Sequence, residues 1–251
     1  MKPHQLPADE CKYLNLQAVR GSSSRTQTLA ARVDLRAQMP PVMDQEDLGS
    51  CTACALVAAH QFLDAVFKPS PLFVYYNTRW LDQQRGGNNP AVDDGSTLRQ
   101  GIEALVQYGV CRDSLWPYLI TKQGVKPSDA AYADGLNHQT VKYRNVRQTL
   151  TEMKTCLASG LPFVFGFIVY ESFLSDAVAR TGIVTMPKPR ERVLGGHAVV
   201  AVGYDDSRKV LVCRNSWGTG WGDNGHFYLP YSYISSTRLA SDFWVVTDVE
   251  V

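Results

Sequence analysis

Residues 195–216 read GGHAVVAVGYDDSRKVLVCRNS. Two runs rich in β-branched and aromatic residues, HAVVAVGY (197–204) and KVLVCRNS (209–216), are separated by polar turn residues. That pattern predicts two neighbouring strands. The same texture recurs in FVFGFIVY (163–170), GHFYL (225–229) and FWVVTDV (243–249), again with turn signals between the runs. A helix over 149–158 is the main exception. The second half of the chain is therefore expected to be a largely antiparallel β structure.

The first half has another period. Ala53, Leu56, Val57, His60, Leu63 and Phe67 recur mostly at three- and four-residue steps, which predicts a buried amphipathic helix over 52–67, stopped by Pro69 and Pro71. A second helical stretch is expected around 72–81, then a polar loop, QQRGGNNPAVDDGS. Ser96 or Thr97 can cap a third helix, whose apolar face includes Leu98, Ile102, Leu105 and Val106 and which Gly109 ends. Helices first and strands second imply an α+β fold with two lobes. The helical lobe is expected mainly over 45–140 and the β-rich lobe mainly over 141–251, with a site in the cleft between them. Residues 1–31 are polar, and GSSSRTQT (21–28) reads as a flexible linker. They are expected to form an N-terminal extension to a domain spanning 32–251.

Bulk properties remove several classes. A formal charge of +1 gives no field to attract nucleic acid or acidic membranes. No run of apolar residues is long enough for a membrane helix. The N-terminus, MKPHQLPADECKYLN, lacks the apolar core of a signal peptide, so the chain as written is expected in the cytoplasm or exported by another route, and its compartment stays open. Six scattered cysteines in 251 residues are too few for a disulfide scaffold. Cys111, Cys156 and Cys213 read as small buried hydrophobes.

Cys51 and Cys54 stand in GSCTAC (49–54). A thiol is a weak nucleophile until it loses its proton. Cys51 sits where the first helix begins, and the unpaired N–H groups there favour an anion. Cys54 lies one turn in. Position alone makes Cys51 the better nucleophile. It needs a base, and there are five histidines. His4 is in the extension, His60 lies within the helix, and His138 and His226 lie in polar loop or turn contexts. His197 follows two glycines at the start of an apolar strand, where a ligand or backbone can approach closely; its bland reading is a structural histidine at a strand edge. The next strand ends in RNSWGTGWG. Asn215 can accept from one imidazole nitrogen and aim the other at a thiol. Trp217 can roof that bond, although NSWG alone also reads as a turn with packing tryptophans. Gln45, six residues before Cys51, can join the Cys51 N–H in an oxyanion hole.

QEDLGSCTA, GGHAVVAVGY and RNSWGTGWGDNG, in that order, resemble the papain-like cysteine peptidases from about Val33 onward. The resemblance implies a helical left lobe, an antiparallel β-barrel-like right lobe and acyl transfer through a Cys-His-Asn site. It implies Cys51 as nucleophile, His197 as base and then acid, Asn215 as its orienter and Gln45 as oxyanion donor. Trp217 matches the shield over the His–Asn pair, and Trp221 the aromatic wall on the leaving-group side. Gly95 and Ser96 match the segment whose backbone pairs with an extended substrate. Gly166, Gly195 and Ala198 fall in the second-residue specificity pocket, which is expected to be roomy and apolar. The implied partner is a protein or peptide substrate. No cofactor or metal is implied, and a monomer is expected.

The chain also departs from the family. Thr52 replaces the tryptophan common after the nucleophile. Gly196 replaces the aspartate often found before the histidine. Cys54 is outside the motif, the disulfides of secreted members cannot be traced, and about 31 residues precede the domain where a long propeptide is usual; they are expected to restrain activity. Two rival readings stay open. A C-x-x-C at a helix start also suits a redox dithiol, though no βαβ unit accompanies it. A papain-like domain that binds without cleaving is the other. Zinc is weaker, because a second ligand pair is lacking.

Overall fold

The computed structural model describes residues 29–250. Most of the expected extension, with His4 and Cys11, lies outside the described residues. Its last residues are already tied in: Tyr204 donates to the Ala30 carbonyl at 2.7 Å and the Asp206 N–H to Ala31 at 2.9 Å.

The described residues form two units. One comprises Gln45–Tyr143 and the residues from Val246 onward; the other comprises the residues up to Asp44 together with Arg144–Val245. The first unit is helical. Its main helices are α1 (Cys51–Leu63), α2 (Pro71–Gln83), α3 (Leu98–Gln107) and the short α4 (Asp129–Gly135). Local chemistry fixes their ends. Ser70 accepts from the Phe73 N–H with Pro71 in the first turn, so Pro71 starts α2 as well as closing the segment before it. Thr97 and Gln100 form a capping box for α3, and Gly109, at φ +65°, follows its end.

Two expectations need correction here. The first helix ends at Leu63 rather than 67, and Val66 is almost fully exposed. It is also not amphipathic: every residue from Thr52 to His60 is buried. Small side chains at Ala53, Ala55, Ala58 and Ala59 let neighbours approach on all sides. Gly101 of α3 comes so close that a Cβ there would stand 2.3 Å from the Leu56 side chain.

The second unit is built on antiparallel strands: β1 (Arg32–Asp34), β3 (Phe163–Tyr170), β4 (Val193–Asp205), β5 (Val210–Arg214) and β6 (His226–Pro230). β2 (Thr140–Asn145) and β7 (Ala240–Val249) run on into the first unit. The sheet order is β2-β7-β3-β4-β5-β6, with β1 also on β4. α5 (Leu150–Ala158) begins at a Thr149 cap. The short α6 (Asp176–Thr181) and α7 (Tyr231–Ile234) interrupt a half expected to hold one helix. Phe163, Phe165, Phe227 and Leu229 are fully buried in its core, and Phe165 stacks on Phe243 at 5.6 Å. Burial of such rings dominates the stability of a sheet core.

Candidate active site

In the first unit, the turn before α1 is folded tightly. The Gln45 side-chain amide donates to the Leu48 carbonyl at 2.8 Å, and the Ser50 N–H donates to the same oxygen at 2.7 Å. The Tyr118 hydroxyl donates to the Gln45 carbonyl at 2.8 Å. Burial holds that phenol above its ordinary range, so it keeps its proton. Because Tyr118 spends its hydrogen on a carbonyl, Ser50 Oγ, 2.6 Å away, must donate to Tyr118. Cys54 Sγ, 3.6 Å from Ser50 Oγ, is then the donor to Ser50. The four groups form one directed chain, Cys54 to Ser50 to Tyr118 to Gln45.

Cys51 is the first residue of α1 and is half-buried, whereas Cys54 is buried. The first turn of α1 carries no acidic residue to compete for the positive end of the helix. Thr52 donates to the Ser96 carbonyl at 2.9 Å, which ties the start of α1 to the Gly95–Ser96 segment. Gly95 sits at φ +77°, a backbone that side-chain-bearing residues rarely adopt.

In the second unit, His197 Nε2 lies 2.7 Å from Asn215 Oδ1, and both residues are buried. The Ser216 N–H donates to the same Asn215 oxygen at 2.9 Å. That second donor fixes which end of the amide is oxygen, and so places the proton on Nε2. Trp217 stacks on the imidazole with ring centres 4.9 Å apart. Trp221 meets Trp217 edge-on at 5.0 Å, and Phe173 touches both tryptophans. An antiparallel bridge between Asp44 and Trp217 holds the segment after β5, where Gly218 turns at φ +71°.

β3 and β4 present the remaining residues. Phe167 faces His197 across the pair, Gly166 faces Ala198, and Gly196 faces Ile168. Residues directly opposite share a face. Gly166, Gly196 and Ala198 therefore lie on one face and His197 on the other. Gly195, paired with Val169 next to a bulge, has the parity of His197. A Cβ on Gly195 or Gly196 would meet nothing within 4 Å.

The other thiols are chemically quiet. Burial pushes Cys111 and Cys156 up to about 12 and Cys213 well above the ordinary thiol range. Among the described residues, no disulfide joins the cysteines, and no cluster of side chains could hold a metal ion.

The profile of the papain family of cysteine proteases matches residues 29–245. The chain belongs to that family. It is 42% identical over 221 residues to a peptidase C1-like protein of Acanthamoeba polyphaga mimivirus, covering 82% of this chain and 70% of that one. It is 29% identical to a cathepsin B-like protein of Giardia intestinalis, over 88% and 76% of the two chains. The crystal structure of xylellain, a cysteine protease from Xylella fastidiosa, superposes with a TM-score of 0.80 at 40% identity, covering 88% of this chain and 87% of that one. The fold is papain-like, the chain is a hydrolase of peptide bonds, and its substrate is a protein or peptide.

Several residues of this papain-family chain were not singled out by sequence. Tyr118, Phe173, Asp93 and Tyr75 all touch segments named above. Tyr118 and Asp93 lie in irregular stretches, and each works through a partner far away in the chain.

Proposed function

We propose that the chain is an endopeptidase acting through Cys51, His197, Asn215 and Gln45. The observation that carries this reading is the buried His197–Asn215 bond. With its Nε2–H given to Asn215, the imidazole has one basic nitrogen left, Nδ1, to take the proton of a thiol.

In this reading thiolate Cys51 attacks the scissile carbonyl carbon, and the carbonyl electron pair moves to oxygen. The Cys51 N–H and the Gln45 amide hold that oxyanion. The Gln45 amide leaves the Leu48 carbonyl to do so. The intermediate collapses, His197 Nδ1 protonates the departing amine, and a thioester remains. Water then gives a proton to His197, adds to the thioester and releases the acid and the thiolate. Gly95 and Ser96 offer backbone to an extended substrate, Trp217 shields the His–Asn bond, and Trp221 walls the leaving-group side. The directed chain from Cys54 to Tyr118 weighs against a redox pair, since it uses Cys54 as a protonated donor.

The test is mass spectrometry after reaction with an epoxide that alkylates thiolates, alongside peptide turnover by Cys51→Ala and Gln45→Ala. One adduct on Cys51 is expected, with no turnover by Cys51→Ala and a loss of roughly 10²–10³ in kcat for Gln45→Ala. An adduct on Cys54, or full turnover without Cys51, overturns the assignment. We further infer that residues 1–31 restrain the enzyme, because the 21–28 linker gives them reach. Deleting 1–28, which spares the bonds at Ala30 and Ala31, should raise turnover or change its pH dependence. Unchanged turnover and labelling removes this part of the reading.

A further inference from the structure

The turn that leads into Cys51 is held by a carboxylate that none of the sequence motifs contains. Both oxygens of Asp93 lie 3.1 Å from the backbone N of Gly49, two residues before Cys51. The Tyr75 hydroxyl donates to Asp93 Oδ1. That same hydroxyl accepts the backbone N–H of Gly95 at 3.3 Å. One carboxylate and one phenol thus join two backbone segments: the run that presents Cys51 and the glycine beside Ser96.

The surroundings keep this arrangement in place. Tyr75 is fully buried in α2. Burial holds its phenol above its ordinary range, as does the hydrogen bond to Asp93, so it remains a donor. The Arg79 guanidinium lies 3.7 Å over the Tyr75 ring and donates to the Val92 carbonyl at 2.8 Å, next to Asp93. Gly49 is needed for the approach: a Cβ there would lie 2.8 Å from Asp93 Oδ1 and 3.3 Å from the Tyr75 hydroxyl. Asp94 does not share the task; its carboxylate accepts from Asn88 at 2.6 Å.

We propose that Asp93 is a positioning residue for peptide hydrolysis. This rests on the reading of Cys51 as nucleophile. By fixing the Gly49 N–H, Asp93 sets the path of the peptide units that carry Cys51 and its oxyanion-directed N–H. Through Tyr75 it sets Gly95 in register with them. An oxyanion donor a fraction of an ångström out of place loses most of its effect, because the site works by preorganisation. Asp93 itself is exposed, so its loss leaves the core intact.

The test compares Asp93→Ala, Asp93→Asn and Tyr75→Phe by Tm, kcat, KM and the rate of Cys51 alkylation by a thiolate-directed epoxide. Asp93→Ala is expected to lower kcat at least tenfold, with KM changed less and Tm within a few degrees of the parent. Alkylation should slow in parallel. Asp93→Asn, which keeps one acceptor for Gly49, should recover part of the loss. Adding Tyr75→Phe to Asp93→Ala should cost little more than either change alone, since both break one linkage. Should Asp93→Ala not fold, Tyr75→Phe, which removes a single hydroxyl, carries the same test on kcat. Parental kcat and alkylation in a folded Asp93→Ala or Tyr75→Phe protein overturn the proposal. If Cys51→Ala is inactive in that experiment, the nucleophile assignment survives and the positioning role alone falls; if Cys51→Ala is active, both fall.

Discussion

Asn215 Oδ1 accepts from two donors, His197 Nε2 at 2.7 Å and the Ser216 backbone N–H at 2.9 Å. The backbone donor is the reason the pair is well defined. It prevents the amide from turning its NH₂ toward the imidazole, which would force the histidine into the other tautomer. Trp217 then covers the ring from one side. A hydrogen bond in such a dry, aromatic setting is stronger than in water, and its loss is correspondingly costly.

Replacing Asn215 should therefore act on chemistry more than on binding. For Asn215→Ala, a fall in kcat of roughly 10- to 100-fold is expected, from about 1–3 kcal/mol of lost buried hydrogen bonding. KM for a peptide substrate should change less. Steady-state kinetics decide this: a variant that loses only affinity would place Asn215 outside the catalytic machinery.

Small residues should give a permissive pocket for the second residue of the substrate. Of the three residues expected to line it, Gly166 and Ala198 share one face of β3 and β4, whereas Gly195 has the parity of His197. Gly196 joins the first two, and a Cβ on it would meet nothing within 4 Å. Bulky apolar residues are expected to be preferred there in a peptide library. Ala198→Leu should shift the ratio of kcat/KM for large against small apolar residues by about tenfold, the range that a few methylenes command in an apolar pocket. A library that accepts only glycine or charged residues at that position, or an unmoved ratio in Ala198→Leu, rules the pocket out.

What sequence revealed, and what it did not, follows from the range of each interaction. β3 was legible to the residue, because FVFGFIVY is a dense run of strand formers bounded by turns. β4 was expected to start at His197 but starts at Val193, because its first four residues are exposed and carry no burial pattern. α1 was read as amphipathic although its middle is buried all round, a distinction that alanines do not reveal in a sequence. In the site, His197 and Asn215 stood out because each borders an apolar run in the sequence, although in the structure His197 lies inside β4 and Asn215 just after β5. Tyr118 and Asp93 did not. Tyr118 acts on Gln45 from 73 positions away, and Asp93 on Gly49 from 44. No period or cap marks such partners; only the folded chain brings them together.

The first unit should also be sensitive to acid through a histidine that takes no part in catalysis. His60 is 1% exposed in α1, and among the described residues neither ring nitrogen makes a hydrogen bond of ordinary geometry, the His138 backbone offering only a weak one. Its neighbours are Phe67, with ring centres 5.9 Å apart, and His138, which stacks on Phe67 at 3.9 Å. Burial pulls His60 down to about 4; the charge of His138 adds to this, while the His138 backbone and Asp64 oppose it. In the unfolded chain the group titrates near 6.5. Above about pH 6.5 the histidine is neutral in both states, and its contribution to stability is whole. As the pH falls from 6.5 toward 4, the unfolded chain takes up a proton that the folded chain refuses. Stability is lost across that window, on the order of 3 kcal/mol at full effect, and the loss levels off below pH 4. His226, in β6 of the second unit and also lowered by burial, adds to the fall in stability of the chain in the same direction. The measurement is thermal unfolding from pH 7.5 to 4.5 of the parent, His60→Leu and His60→Leu/His226→Leu. Each substitution should flatten the fall in Tm, the double variant most. A parent and a His60→Leu variant whose Tm values fall in parallel through this window would show that His60 takes up its proton equally in the folded and unfolded chain, and would overturn this reading.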